Sequence, residues 1–389
     1  MSELHEKYAP ILHFNKNEQF FPMRVEDMLA YSSLHTKDET KPLTAAGSVT
    51  PDILRRHGRS PATFLRTINS GPFFGQEVIN EWGTGALEMV YRWAAANRTS
   101  LNERLAQKAY SWFSPKTQKA TQLFWWNGLL EQVLKEHVSS APPQTLPRLI
   151  LPTTTYDSAV ANYQEHKPAY AYYYRQVVDG DYLCLQYWFF YSFNNWGTSF
   201  AGMNDHEGDW EGMMLFFKRD SNGRPQEPPA YVTYADHESR QTKPWGHDDL
   251  TIVGAHPVGY AAGGSHATYP QAETLSLVRL YSLFDYATGD GRTIDHTDWV
   301  HRINLDDTPW LGQFYGSYGT RFWLKTARAR TILQAALALT PFSVLARQAI
   351  PDEIELPGVS APRGPIDPKR PQYAQPVAWA GIEEVAARR

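Results

Sequence analysis

The nine residues "NDHEGDWEG", 204 to 212, carry four acids and one histidine between two apolar runs, "LCLQYWFFYSFNN" before them and "MMLFF" after. Carboxylates and imidazoles are the side chains that hold cations and move protons. In a strand, Asp209 and Glu211 lie two apart and share one face, while Trp210 points to the other face, where it can pack. His206 comes three residues before Asp209, in a turn that Gly208 makes easy. Three ligand-type side chains then converge at the mouth of a sheet. Two carboxylates alone repel and raise one another's pKa, and a divalent cation removes that conflict. Two carboxylates plus a neutral imidazole suit a cation that prefers oxygen, so magnesium, calcium or manganese ranks above zinc. The plainer reading is a solvated strand edge or a structural ion pair. The apolar flanks weigh against it, because charges beside buried strands need a partner.

Other candidates cluster downstream. Five of the 13 histidines fall between 206 and 266: His206, His237, His247, His256 and His266. Asp236, Glu238, Asp248 and Asp249 accompany them. His266 follows Gly263, Gly264 and Ser265, and the glycines let the backbone bend so that Ser265 and His266 face a cavity. A backbone-bonded structural histidine is the competing reading. His256 precedes Pro257 and reads as structural. Ser265-His266 lacks the Gly-x-Ser-x-Gly pattern of a nucleophile elbow. "GDGRTIDHTDW" has calcium-loop residue types without EF-hand spacing and reads as a turn. Trp125-Trp126 reads as a helix–sheet contact.

The elements that position these residues follow from composition and pattern. The chain of 389 residues is 42% hydrophobic and 20% charged, enough to bury a large core. Its net charge of -4 argues against a nucleic-acid partner, which needs a basic face. The lone Cys184 sits in an apolar run and cannot form an internal disulfide, so a reducing compartment is expected. No signal-peptide pattern and no run of 18 apolar residues occurs, so a cytoplasmic protein without a transmembrane segment is expected, with non-classical export as the other route. Residues 1–45 read as a first strand, Ile11 to Phe14, a turn and a helix near Arg24 to Tyr31. Residues 46–148 read as a mainly helical insertion, with Thr50-Pro51 as a helix start and Ser100 opening a capping box. Residues 149–321 take a β texture, with a hairpin turning at Asp179-Gly180 and strands at "WEGMMLFF", "AYVTYA" and "HPVGYAAGG". Several strands are apolar on both faces, so they should be central and covered on both sides. Residues 322–350 return to helix, and 351–389 form a proline-rich tail expected to pack as irregular chain over the core. The fold class expected is α+β, a β-sandwich core with a helical insertion and a C-terminal helical excursion. The N-terminal strand joins a sheet built of residues far away in sequence.

Beyond these patterns, "YAPILHFNKNEQFFP", with Glu18, Phe21 and Pro22, resembles the opening of the vacuolar protein sorting-associated protein 62 family. "YWFFYSFNN" with "HEGDWE", "HPVGYAAGGSHATYP" around Gly264, Ser265 and His266, and "WLGQFYGSYGT" with "PRGPIDP" are similar to that family's later segments, in the same order. Tyr318 stands where that family has tryptophan. More distantly, His206, Asp209 and Glu211 resemble the first histidine, aspartate and glutamate of the GHRHDWE heptapeptide of necrosis-inducing cytolysins, which bind a divalent cation on a β-sandwich. Gly208 replaces the second histidine. The upstream aspartate of those toxins falls near Asn194 and Asn195, either of which offers a carbonyl oxygen; Asn194 is taken as the metal ligand, with Asp205 as a substitute, and Asn195, Gly264 and Ser265 as contacts to the bound ligand. The resemblance implies a cavity for a sphingolipid sugar headgroup. Two functions are therefore expected. One is metal-dependent binding of a polyhydroxylated or anionic ligand, a lipid headgroup or glycan, with peripheral membrane contact and cytolysin-like action. The other is a metal-dependent hydrolase at the same site, acting on an ester, phosphodiester or glycoside, with Glu211, His266 and His237 as its acid–base groups.

Overall fold

The computed structural model describes residues 3–37, 41–67, 153–195, 205–236, 239–278, 283–321, 323–325, 353–355, 361–366 and 370–387. Most of the expected insertion and of the second helical excursion, including Ser100 and Trp125-Trp126, lies outside the described residues.

Two sheets form the core. The first has six strands in the spatial order His301–Asn304, Ala171–Asp179, Tyr182–Asn194, His206–Lys218, Tyr231–Asp236, Ser239–Pro244. Its two long central strands are antiparallel, in register from Tyr182 opposite Lys218 to Asn194 opposite His206. Every residue of His206–Lys218 except Lys218 is buried. This is the double-sided coverage that the apolar runs require. The hairpin before it turns as expected, with Asp179 paired to Tyr182 and Gly180 at φ +57°.

The second sheet centres on Ile11–His13, which pairs in parallel with His256–Ala261, about 245 residues further on, and antiparallel with Thr293–Ile294. Thr268–Tyr269 and Ile252–Val253 complete it. The two sheets face each other. The Tyr234 hydroxyl donates to the Val258 carbonyl at 2.9 Å, and Phe14 of one sheet meets Tyr191 of the other edge-on at 6.5 Å. Trp299 donates its indole N–H to Pro10 and stacks on Phe189 at 5.8 Å. The aromatic richness of the sequence is spent largely here, in a sandwich core of edge-to-face rings. Cys184 is buried in it, and burial pushes its thiol pKa well up.

Four segments depart from the sequence reading. Thr153–His166 is a helix where a β texture was expected. Its Tyr156, Ala159 and Tyr163 recur at helical spacing and are buried, with both tyrosines against Phe20. Packing beside the aromatic pair Phe20-Phe21 decides the local structure over the β-branched threonines. The insertion begins with the expected helix, Pro51–His57, capped by Thr50 accepting from Ile53 N–H at 3.3 Å. It then makes a strand, Thr63–Arg66, paired with Ser33–Thr36. Residues 323–325, read as helix, form a strand paired with 353–355. The tail is not irregular either. Residues 370–387 contain three short helices, Pro371–Ala374, Pro376–Ala380 and Ile382–Ala387, two of which start on proline. They pack through Trp379, and the Thr242 hydroxyl donates to the Ala380 carbonyl.

Candidate functional site

The site lies between the two sheets, where Tyr182–Asn194 ends and His206–Lys218 begins. Gly208 holds φ +63° inside the latter strand. In strict alternation His206 shares a face with Trp210. The left-handed residue breaks that alternation instead of forming the expected turn. Asn194, opposite His206 in the ladder, donates its side-chain N–H to Asp209 Oδ2 at 3.0 Å. His206, Asn194, Asp209 and Glu211 are all buried.

The second sheet delivers His266. Its backbone sits at φ +59°, after Gly264 at +75°. The ring stacks flat on Tyr191, with centroids 3.9 Å apart and planes 3° off parallel. Its two nitrogens face two carboxylates: Nδ1 lies 3.5 Å from Asp209 Oδ2 and Nε2 3.5 Å from Glu18 Oε1. Glu18 also accepts the backbone N–H groups of Gln19, Phe20 and Gly264 at 2.8, 3.0 and 2.9 Å. Glu18 was legible only as the acid of the opening motif, and nothing in its spacing pointed to His266.

The electrostatics follow from this sandwiching. Burial alone pulls the His266 pKa down, but the charges of Glu18 and Asp209 outweigh it and raise it to about 9. Burial pushes Glu18 and Asp209 up, and contact with His266 reverses that, holding both below the ordinary carboxylate range. An imidazolium therefore already meets part of the repulsion that the sequence reading assigned to a cation. Burial lowers the His206 pKa, which keeps that ring neutral at neutral pH. Burial, with Glu211 and Asp209 next, raises the Tyr191 hydroxyl well above its usual value.

The remaining candidates separate. Gly264 contributes its backbone N–H to Glu18, and Asn195 donates its backbone N–H to the Gly264 carbonyl at 2.8 Å, so both shape the turn that carries His266. Ser265 is turned away: its hydroxyl donates to buried Asp285 at 2.8 Å, and Tyr269 holds the other oxygen of that carboxylate at 2.6 Å. Asp205 is fully buried just before the strand. His237 lies outside the described residues. His256 is structural, with Nδ1 2.8 Å from the Ala9 carbonyl oxygen.

Glu207 plays a structural part beside the site. Its carboxylate accepts the backbone N–H and hydroxyl of Thr67, both at 2.7 Å, and the same two groups of Thr320. It thus ties the site strand to the chain segments before residues 68 and 322. Glu207→Gln leaves one acceptor oxygen where two charged ones stood, and turns an N–H₂ toward donors. The expected cost is about 2–3 kcal/mol in urea unfolding. A loss within 0.5 kcal/mol means the carboxylate does not hold the two segments.

Two facing sheets, with short helices at their margins and a buried acid–histidine cluster at one end, define an α+β protein with a β-sandwich core. No protein-family model and no curated protein matches the chain. The resemblance to the vacuolar protein sorting-associated family has no counterpart in these comparisons. Solved structures of necrosis- and ethylene-inducing proteins are similar at low identity. Necrosis and Ethylene inducing Protein 2 from the causal agent of cocoa's witches' broom disease is 12% identical, with a TM-score of 0.25 over 43% of this chain and 67% of that one. NLPPya in complex with glucosamine is 9% identical, with a TM-score of 0.22 over 35% of this chain and 50% of that one. Non-toxic HaNLP3 is 15% identical, with a TM-score of 0.24 over 37% and 57%. The match spans about half the length of NLPPya. At these scores nothing of site or ligand transfers from them. No helix among the described residues is long and apolar enough to cross a membrane, which says nothing of a β-barrel.

Proposed function

We propose that this chain binds a polyhydroxylated or anionic ligand, a lipid headgroup or a glycan, through a divalent cation held by His206, Asp209 and Glu211. One observation carries the reading: buried polar atoms without a hydrogen-bond partner gather here. His206 Nδ1 and Asn194 Oδ1 are both buried with no hydrogen-bond partner among the described residues, and such groups are costly unless something binds them. Burial lowers the His206 pKa, which favours the neutral form that a metal ligand takes. Among the described residues no three His, Cys, Asp or Glu side chains converge tightly enough to hold an ion by themselves. The cation therefore needs the Asn194 oxygen, or Asp205, together with water or ligand oxygens, which fits magnesium, calcium or manganese better than zinc. Bound there, the cation supplies a Lewis-acid contact to ligand oxygens. His266, wedged between two carboxylates and stacked on Tyr191, is a fixed charge and not a mobile proton carrier. That favours binding over hydrolysis.

Cation at about 100 times its dissociation constant stabilises the fold by roughly 2.7 kcal/mol. EDTA is expected to lower the melting temperature, and Asp209→Ala to abolish that sensitivity. An unchanged melting curve in EDTA, with no metal by elemental analysis, sinks the cation. For the ligand, the protein is incubated with a mixed lipid and glycan extract, with and without EDTA, and read by mass spectrometry. Metal-dependent retention of an unaltered lipid or glycan is expected, and Glu211→Gln should fold nearly normally yet lose it. Metal-dependent product formation makes the protein a hydrolase instead.

A further inference from the structure

A cleft of about 830 Å³ opens on the far side of Glu18, between the turn at Asn15–Phe21 and the chain leaving the Thr153–His166 helix. That volume is in the range of small-molecule sites. Its lining combines the amides of Asn17 and Gln164, tyrosine rings, and two cations, Lys167 and Arg292. Asp298 is its exposed acid, and one of that carboxylate's oxygens is taken by the Asp295 N–H at 2.9 Å. Glu18 lines the cleft too, but its side chain is only 3% exposed and spends its carboxylate inward on His266 and Gly264. On the exposed part of the lining two cations, Lys167 and Arg292, therefore stand against one acid, Asp298. Arg292 is held in place over the Phe21 ring, 5.0 Å from its centroid, and by the Tyr170 hydroxyl.

The backbone points to the same place. Among the described residues three non-glycines have left-handed backbone: Asn17 at +72°, Lys167 at +41° and His266 at +59°. Two line the cleft and the third is paired with Glu18, and strain of this sort collects at functional sites. Lys167 is the sharpest case. It is the first residue beyond the helix, its N–H bonding the Tyr163 carbonyl at 2.9 Å, a left-handed cap where glycine is the residue of least cost. Its ammonium makes no ion pair among the described residues. Glycine would sit here at least cost, and the chain presents a charge instead.

We propose that this cleft binds a small hydroxylated ligand bearing one anionic group, a carboxylate or a phosphate, with Lys167 and Arg292 facing the anion and the Asn17 and Gln164 amides facing hydroxyls. The inference goes beyond the cation reading and does not depend on it. The test is calorimetric titration of the full chain with glucose 6-phosphate, glucuronic acid and glucose, each in EDTA and again in magnesium. One of the acidic sugars is expected to bind equally in both, with glucose at least tenfold weaker; which acid binds tells carboxylate from phosphate. Lys167→Gly should weaken binding about tenfold, the loss of one charge-assisted contact, while raising the melting temperature because the helix cap relaxes. Misfolding cannot produce that pair of effects. Arg292→Gln should weaken binding similarly. Absent binding, equal affinity for glucose, indifference to Lys167→Gly, or binding that needs magnesium each overturns the proposal. The last outcome places the ligand at the cation instead. Failure of the cation reading itself leaves the EDTA arm unaffected.

Discussion

Truncation of Trp210 to alanine is expected to cost the fold about 3–5 kcal/mol, the range for removing a buried aromatic. The indole is 2% exposed, with Tyr173, Phe190 and Tyr318 at ring-centroid distances of 5.1, 5.0 and 5.5 Å. Its N–H has no acceptor among the described residues, so the loss is packing and cavity and not a broken hydrogen bond. Three rings surround the void and none can move without uncovering another, so little collapse is available to soften the cost. Urea unfolding of Trp210→Ala beside Trp210→Phe reads it. Phenylalanine should recover more than half the loss. A loss under 1.5 kcal/mol for alanine means that the face opposite the carboxylates is not a rigid wall.

That wall was legible in the sequence because strand alternation is local: Trp210 between Asp209 and Glu211 needs no knowledge of the rest of the chain. The same holds for the Asp179-Gly180 hairpin, the Thr50-Pro51 helix start and the doubly apolar central strands. Each rests on neighbours within a few residues. Tyr318, in place of the tryptophan expected from the family resemblance, is also a packing residue, wedged among Phe190, Trp210 and Phe314.

What escaped was long-range. Glu18 reaches His266 across 248 positions, through the parallel pairing of Ile11–His13 with His256–Ala261. No spacing rule reports such a pair, although both residues stood inside recognisable motifs. Ser265 was read as facing the cavity, and its hydroxyl is spent on Asp285, twenty residues on, in a contact equally invisible from sequence. Glu207 was the unassigned acid of the opening nine residues. Its partners Thr67 and Thr320 lie 140 and 113 residues away. The Thr153–His166 helix was missed for a different reason. Its burial period was present in Tyr156, Ala159 and Tyr163, but the surrounding β texture outweighed a single weak stripe.

Gly208→Ala is expected to destabilise by about 2–5 kcal/mol and to scatter the site. Two costs add. A non-glycine residue at φ +63° loses about 1–2 kcal/mol. The new methyl also has nowhere to go: an ideal Cβ stands 2.3 Å from the Tyr318 carbonyl oxygen and 2.9 Å from the Tyr318 Cβ. Overpacking of that kind costs about 1–3 kcal/mol. The backbone cannot retreat easily, because Gly319 approaches the Glu207 carbonyl from the other side, with an ideal Cβ there also 2.3 Å from it. Gly180 separates the two costs. It sits at φ +57° with nothing within 4 Å of an added Cβ, so Gly180→Ala should show the conformational term alone. The difference between the two variants in urea unfolding then measures the clash with Tyr318. Because the left-handed residue is what turns His206 toward Asp209 and Asn194, a Gly208→Ala protein that does fold should also lose any melting shift given by divalent cations. Equal losses for the two variants, with the cation shift intact, would show that Gly208 serves only the turn of the chain and not the arrangement of its ligands.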